Sequence, residues 1–413
     1  MTTRFTSAVA IATTCAVALA ALGLLFSRGD VVALGAPLAL WAVWTTVTAK
    51  QPETPEILID APLHEDGRYR SSIEVRSDAE AVHLVALLGH SLERQLVVAP
   101  DERLEAFSIA QHSGPWFPVW AHARAISADG ATTSARDGEA RSRHAIAPST
   151  RHLDALPTAR TLSGLHGSHQ GWRPGQGGDF RDIHPWAPGD ELRRVDWKAT
   201  ARLARRRGDL QVRRMHTMSE QAIALVVDGI DDLGEVVATW DRDAPQGSGV
   251  TSLDLAREAA RSLATMAIET GDRVSLHELG VGGRMTRSAA GNRHLARLAA
   301  AITTLAPRES ARHWARTPPV PRGSVVFLLS TFLDDTAADL ATGWLGAGHR
   351  VVAIDTLPHL DPVRLNRAER TGLRLVLAER RERIVRIERQ GADLVVWADD
   401  PGIAMRLLVR RPR

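Results

Sequence analysis

The chain has 413 residues, 44% hydrophobic and 24% charged, which is enough for two or three domains with proper cores and too apolar for a disordered chain. Its net charge is only +3 and its basic character is carried by arginine, Lys50 and Lys198 being its two lysines. With so much alanine, that is a compositional bias rather than a nucleic-acid signal. The single cysteine, Cys15, excludes an intramolecular disulfide and a Cys-based zinc site, and suits a soluble part facing a reducing compartment.

Ala8 to Phe26 is an uninterrupted apolar run of about the length that spans a bilayer. After Arg28-Gly29-Asp30 a second run, Val31 to Ala49, follows without a charge, with Trp41 and Trp44 toward its far end as in an interfacial aromatic belt. The two runs predict a transmembrane hairpin over 1–50. The alternative is a cleaved signal peptide, against which a second apolar run so soon afterwards argues. Arg4 and Lys50 flank one side, while Arg28 and Asp30 nearly cancel on the other. That bias puts the N-terminus and everything after residue 50 in the cytoplasm.

After a linker, "QPETPE", short alternating stretches such as "SSIEV", "HLVALL", "RQLVV" and "PVWAHARAI" are separated by Gly, Asp and Pro turns. They predict a small antiparallel β-rich domain over 51–160, with Trp116, Phe117 and Trp120 as core aromatics. His166 to Phe180 reads as a Gly-rich loop with solvated His166 and His169. It lacks a Gly-Lys-Ser/Thr and a strand feeding a helix, which excludes a P-loop or dinucleotide fingerprint. Within the 161–220 segment, Asp190 follows Pro188-Gly189 as a helix N-cap and can pair with Arg194. Leu192, Val195, Ala199 and Leu203 recur at helical spacing and would pack inward. Arg194, Lys198 and Arg202 fall on another face, open to a partner's carboxylates or a phosphate, with Trp197 as a contact anchor. The same residues would equally brace the segment against the domain that follows.

From residue 221 strands and helices alternate. The strands are Ala222–Asp228, "RVSLHEL", Ser324–Ser330, "RVVAIDT" and "DLVVWA". The helices are Ser252–Gly271, Asn292–Leu305, Asp334–Gly348, one around Arg380–Gln390, and Pro401–Arg411. Repeated βα units imply a parallel sheet with helices on both faces, and function at the carboxyl ends of its strands. Asp228, Ser330, Thr331 and Asp355 sit at those ends and together form a candidate oxygen-rich cation site.

The strand tips "VVD" and "LLS" resemble those of a von Willebrand factor A-type domain. The stretch before them is similar to the signature of the domain-of-unknown-function-58 family. It matches at Gly178-Asp179-Phe180, Trp186-Ala187-Pro188-Gly189-Asp190, Arg193-Arg194, Asp196-Trp197-Lys198 and Ala201-Arg202. The expected fold is therefore α/β: an N-terminal transmembrane helical hairpin, a small β-rich domain, a signature segment, and a von Willebrand factor A-like parallel sheet flanked by helices over 221–413. The resemblance implies a bacterial, membrane-anchored protein, and the absence of any nucleophile–base pattern in the sequence favours a non-enzymatic one. Its relatives are encoded beside a MoxR-type AAA+ ATPase and often a transglutaminase-like membrane protein, in the role of an adaptor for chaperone-like maturation of other proteins. Its signature or docking residues are Asp179, Arg181, Pro188, Gly189, Asp190, Arg193, Arg194, Asp196, Trp197, Lys198 and Arg202. No catalytic residue, cofactor or metal is assigned. The magnesium pattern of A-type domains is broken by Ile230 within Asp228-Gly229-Ile230-Asp231-Asp232, and Ser330-Thr331 lacks the usual carboxylate.

Two other function classes remain in view. A membrane-tethered metal-dependent hydrolase would draw on Asp179, Asp182, His184, Asp190 and Asp196, but no spacing such as His-Glu-x-x-His groups them. A nucleic-acid or anionic-lipid binder would use Arg202, Arg205, Arg206, Arg207, Arg213 and Arg214. No aromatic residue is interleaved there for base stacking.

Overall fold

A computed structural model describes residues 4–65, 67–89, 92–159, 169–203, 209–240, 249–308 and 317–410, with backbone alone for 169–179, 181 and 216–219. The chain divides into two units, Met1–Gln111 with Pro115–Ile146, and His112–Gly114 with Ala147–Arg413.

In the first unit β1 (Arg4–Phe5) leads into α1 (Ser7–Leu25) and α2 (Gly29–Val47). Both helices are long and apolar enough to span a membrane. Nineteen residues each give about 28 Å of helix, close to the roughly 30 Å of a hydrocarbon core. Small residues set their approach: a Cβ added at Gly35 would meet the Ala16 carbonyl at 3.2 Å, and one at Gly23 would collide with Val32. Arg28 and Asp30 pair at 2.6 Å on the exposed tip.

Eleven strands follow: β2 (Glu56–Ile59), β3 (Leu63–Glu65), β4 (Arg68–Arg76), β5 (Ala81–Leu88), β6 (Leu92–Val98), β7 (Arg103–Ser108), β8 (Gly114–Trp116), β9 (Val119–Ile126), β10 (Thr132–Thr133), β11 (Gly138–Arg141) and β12 (His144–Ile146). One sheet runs β1-β10-β9-β5-β6 with β11 on β9, and a second β2-β4-β3 with β7 on β4. Alternation explains the core: Val82, Leu84 and Ala86 of β5 and Val119, Ala121 and Ala123 of β9 pack with Ile73, Val75 and Ala106 of the other sheet. The open end of the hairpin is tied to this sheet. β1 pairs with β10, the Thr6 N–H donates to the Ala131 carbonyl (2.8 Å), and Thr132 Oγ1 donates to the Lys50 carbonyl (3.0 Å). Of the three expected core aromatics only Trp116 is buried, edge-on to Tyr69 at 5.1 Å. Trp120 points outward and donates to Glu139, because it falls on the other parity of β9, and Phe117 lies under Arg141.

In the second unit the expected Gly-rich loop is a strand from His169 on. β13 (His169–Pro185) pairs antiparallel with β14 (Gln211–Ser219). Register shifts at Gly171/Pro174, Gly175/Phe180 and Phe180/Asp182 accommodate the extra residues, as glycine permits in a bulged ribbon. His166 lies outside the described residues, as does the side chain of His169. Between these strands lies α3 (Trp197–Leu203).

Then come β15 (Ala222–Asp228), α4 (Ser252–Glu269), β16 (Arg273–Leu279), β17 (Met285–Ala289), α5 (Asn292–Thr303), β18 (Val325–Ser330), α6 (Asp335–Gly346), β19 (Arg350–Asp355), α7 (Arg367–Arg389), β20 (Asp393–Val396) and α8 (Pro401–Arg410). Their sheet runs β17-β16-β15-β18-β19-β20, parallel except for the antiparallel edge strand β17. Alternate residues serve opposite faces. Ile223, Leu225 and Val227 pack with α4, α5 and α8, while Ala224 and Val226 pack with α6 and α7. Residues 147–159, which the sequence places with the β-rich segment, belong here: Leu153, Leu156 and Ala159 join the α4 face. The expected cap of helix α4 moves by one residue, because Thr251 rather than Ser252 forms a capping box with Asp254.

Candidate functional site

The signature begins as a tight turn. Pro188 fixes φ and Gly189 takes φ +102°, so Ala187–Asp190 closes with the Asp190 N–H donating to the Ala187 carbonyl at 3.0 Å. Asp190 Oδ2 accepts from the Ala187 N–H at 2.9 Å, and Trp186 Nε1 donates to the Asp190 carbonyl. Asp190 therefore closes the turn instead of capping a helix, and Arg194 pairs with Glu191 at 3.4 Å. A single 3-10 turn, Leu192–Arg194, follows. Val195 is then held extended by its bridge to Val212, which delays the helix to Trp197. Asp196 caps α3: its Oδ1 accepts from the Ala199 N–H at 2.9 Å.

The expected inward stripe is half right. Val195 and Ala199 are buried beside Val212, whereas Leu192 and Leu203 are 66% and 59% exposed. Trp197 is 69% exposed, and Lys198 and Arg202, one helical turn apart, point outward beside it. Arg193 is exposed and bonded to Glu191. Phe180, under the Arg213 guanidinium, and Trp186 add to the exposed aromatic surface. The structure thus gathers Pro188, Gly189, Asp190, Arg193, Arg194, Asp196, Trp197, Lys198 and Arg202 on one turn-and-helix unit. The side chains of Asp179 and Arg181, and residues 205–207 of the basic stretch, lie outside the described residues.

A second cluster lies at the carboxyl edge of the large sheet. The strand order reverses between β15 and β18, so Asp228 and Ser330 flank the switch point. Ser330 Oγ donates to Asp228 Oδ2 at 2.7 Å and Thr331 Oγ1 to Asp231 Oδ2 at 3.2 Å. Burial pushes the Asp228 carboxyl up to about 6, against the Ser330 hydrogen bond, and burial likewise raises Asp231. Asp355, expected in the same cation cluster, is instead ion-paired with Arg380 of α7. Among the described residues no group of three or more His, Cys, Asp or Glu is placed to hold a metal ion. His112 Nδ1 and Ser113 share Asp254, the acid of the α4 capping box. That contact raises the His112 pKa.

The model of the protein family of unknown function DUF58 matches residues 182–393, half of the chain. The chain belongs to this family. The DUF58 match opens inside β13 at Asp182, takes in the turn and α3, and closes in β20, outside the hairpin and β-rich strands. Uncharacterised proteins of Mycobacterium bovis and Mycobacterium tuberculosis are 30% identical over 227 residues, covering 52% of this chain and 66% of their own length. Among solved structures, a PKD domain of an M14-like peptidase from Thermoplasmatales archaeon SCGC AB-540-F20 aligns over 22% of this chain and 91% of its own. Its TM-score is 0.17 at 14% identity, too low to carry an argument.

Sequence reasoning missed Arg380 and the His112–Asp254 contact. The first is one arginine of a charged helix, and the second joins residues 142 apart. Neither leaves a local signal.

Proposed function

We propose that this DUF58 protein is a membrane-anchored, non-enzymatic interaction protein that works with a MoxR-type AAA+ ATPase in chaperone-like assembly or maturation of other proteins. One observation carries the reading: α3 turns Trp197, Lys198 and Arg202 to solvent while the neighbouring acids Asp190 and Asp196 are spent on the turn and the cap. An exposed tryptophan flanked by cations has the chemistry of an interface anchor for an acidic partner. Two of the acids that a hydrolase would draw on, Asp190 and Asp196, are engaged structurally. The apolar hairpin supports anchoring, with the soluble parts on the cytoplasmic side as Arg4 and Lys50 favour. A transglutaminase-like membrane protein fits the same assembly. The order of the large sheet and its Asp228 and Ser330 tips support the A-type reading of the second unit.

The test is purification of the tagged full-length protein from native membranes in detergent with ATP and Mg²⁺, beside a Trp197→Ala/Lys198→Ala variant. Both side chains are exposed, so the variant keeps its Tm. The expected result is an AAA+ ATPase recovered with wild type and reduced at least tenfold with the variant, a loss of about 1.4 kcal/mol or more. Equal recovery would remove α3 from the interface, and absence of the ATPase from both would overturn the reading.

A further inference from the structure

The resemblance to A-type domains implies a divalent ion at the carboxyl edge of the large sheet, and the residues there do not fit one. Ile230 stands where a hydroxyl ligand is needed. Asp228 and Asp231 already accept from the Ser330 and Thr331 hydroxyls. Mg²⁺ demands near-ideal octahedral oxygen coordination and tolerates such losses poorly.

We infer that Arg380 is the built-in cation of this edge: its guanidinium, carried on α7, supplies at Asp355 and Thr331 the positive charge that an A-type domain draws from a divalent ion, so the edge is assembled without metal. Arg380 Nε donates to the Thr331 carbonyl at 2.6 Å, and the same guanidinium is ion-paired with Asp355. Thr331 and Asp355 are each 5% exposed, and the Arg380 side chain is 13% exposed. A carboxylate this buried needs a counter-charge. Among the described residues the other partner of the Asp355 carboxylate is neutral, the Leu357 N–H donating to Oδ1 at 3.0 Å. Thr331 connects the two halves of the edge, since its carbonyl takes Arg380 while its hydroxyl takes Asp231. A guanidinium stays charged throughout the physiological range and, unlike a bound ion, cannot be chelated away. It also fastens the long helix α7 to the tip of β18.

The experiment uses full-length protein in detergent. Its thermal unfolding is followed with EDTA and then with Mg²⁺, Mn²⁺ or Ca²⁺ at millimolar concentration. Beside it run Arg380→Met, which removes the charge and keeps the stem, and Asp355→Asn/Arg380→Met, which removes both charges. The inference predicts one Tm for wild type in all four solutions. It predicts a fall of about 5–10 °C for Arg380→Met, and recovery of most of that fall in the double variant. A saturable rise of the wild-type Tm with any of the three ions would overturn it. So would an Arg380→Met protein as stable as wild type, or a double variant no more stable than the single one. If Arg380→Met does not fold, the wild-type titration and the double variant decide.

Discussion

Asp228 carries the most perturbed acid at the switch point, and the sign of its effect on stability follows from its two environments. Burial pushes its folded pKa up to about 6, while the ordinary value is 3.8. Between those values the folded state binds the extra proton. The contribution to stability is therefore fully present below about pH 4 and is lost as pH rises through about 6. Asp228→Asn, which keeps an acceptor for Ser330, removes that loss. The variant is predicted to gain on the order of 1–3 kcal/mol over wild type between about pH 4 and pH 7. Denaturant unfolding of both proteins across that range checks it, and a constant difference would contradict it. The difference between the two is the useful quantity, since His112, raised by its contact with Asp254, begins to lose stabilisation above its ordinary value of 6.5, at the upper end of that range.

At the level of elements, period-2 and period-3.6 patterning makes the large sheet legible. "AIALVVD", "SVVFLLS" and "RVVAIDT" are β-branched runs buried on both faces, and they form β15, β18 and β19. Patterning fails where tertiary pairing overrides local preference. Gly171 and Gly175 read as loop residues but pair with Thr217 and Met215 of β14, and Val195 interrupts an apparent helix because it bridges Val212. Helix α7 is legible only around its C-terminal half, where Ile384 and Ile387 are buried. Its N-terminal half is largely exposed, with only Leu373 and Leu377, one turn apart, half-buried among its apolar residues. Its start is instead fixed by the Asn366–Glu369 capping box. Gly372, mid-helix with open space where a Cβ would stand, weakens this half. Gly372→Ala is expected to raise the Tm by about 1–3 °C, and a decrease in a thermal scan would contradict that account of α7.

At the level of the whole molecule, the signature residues are legible as a set while their roles are not. Asp190 and Asp196 look alike in sequence, yet one closes a turn and the other caps a helix. That division of labour leaves Trp197, Lys198 and Arg202 as the outward chemistry of a chain whose apolar hairpin is long enough to hold it at a membrane. The most direct measurement is photo-crosslinking in the native host. A photoreactive residue replaces Trp197 in one strain and, as a control on an exposed position far along the chain, Leu63 in another. The account predicts an adduct with an AAA+ ATPase, identified by mass spectrometry, from position 197 and none from position 63. Adducts from both positions, or an ATPase adduct from neither, would contradict it.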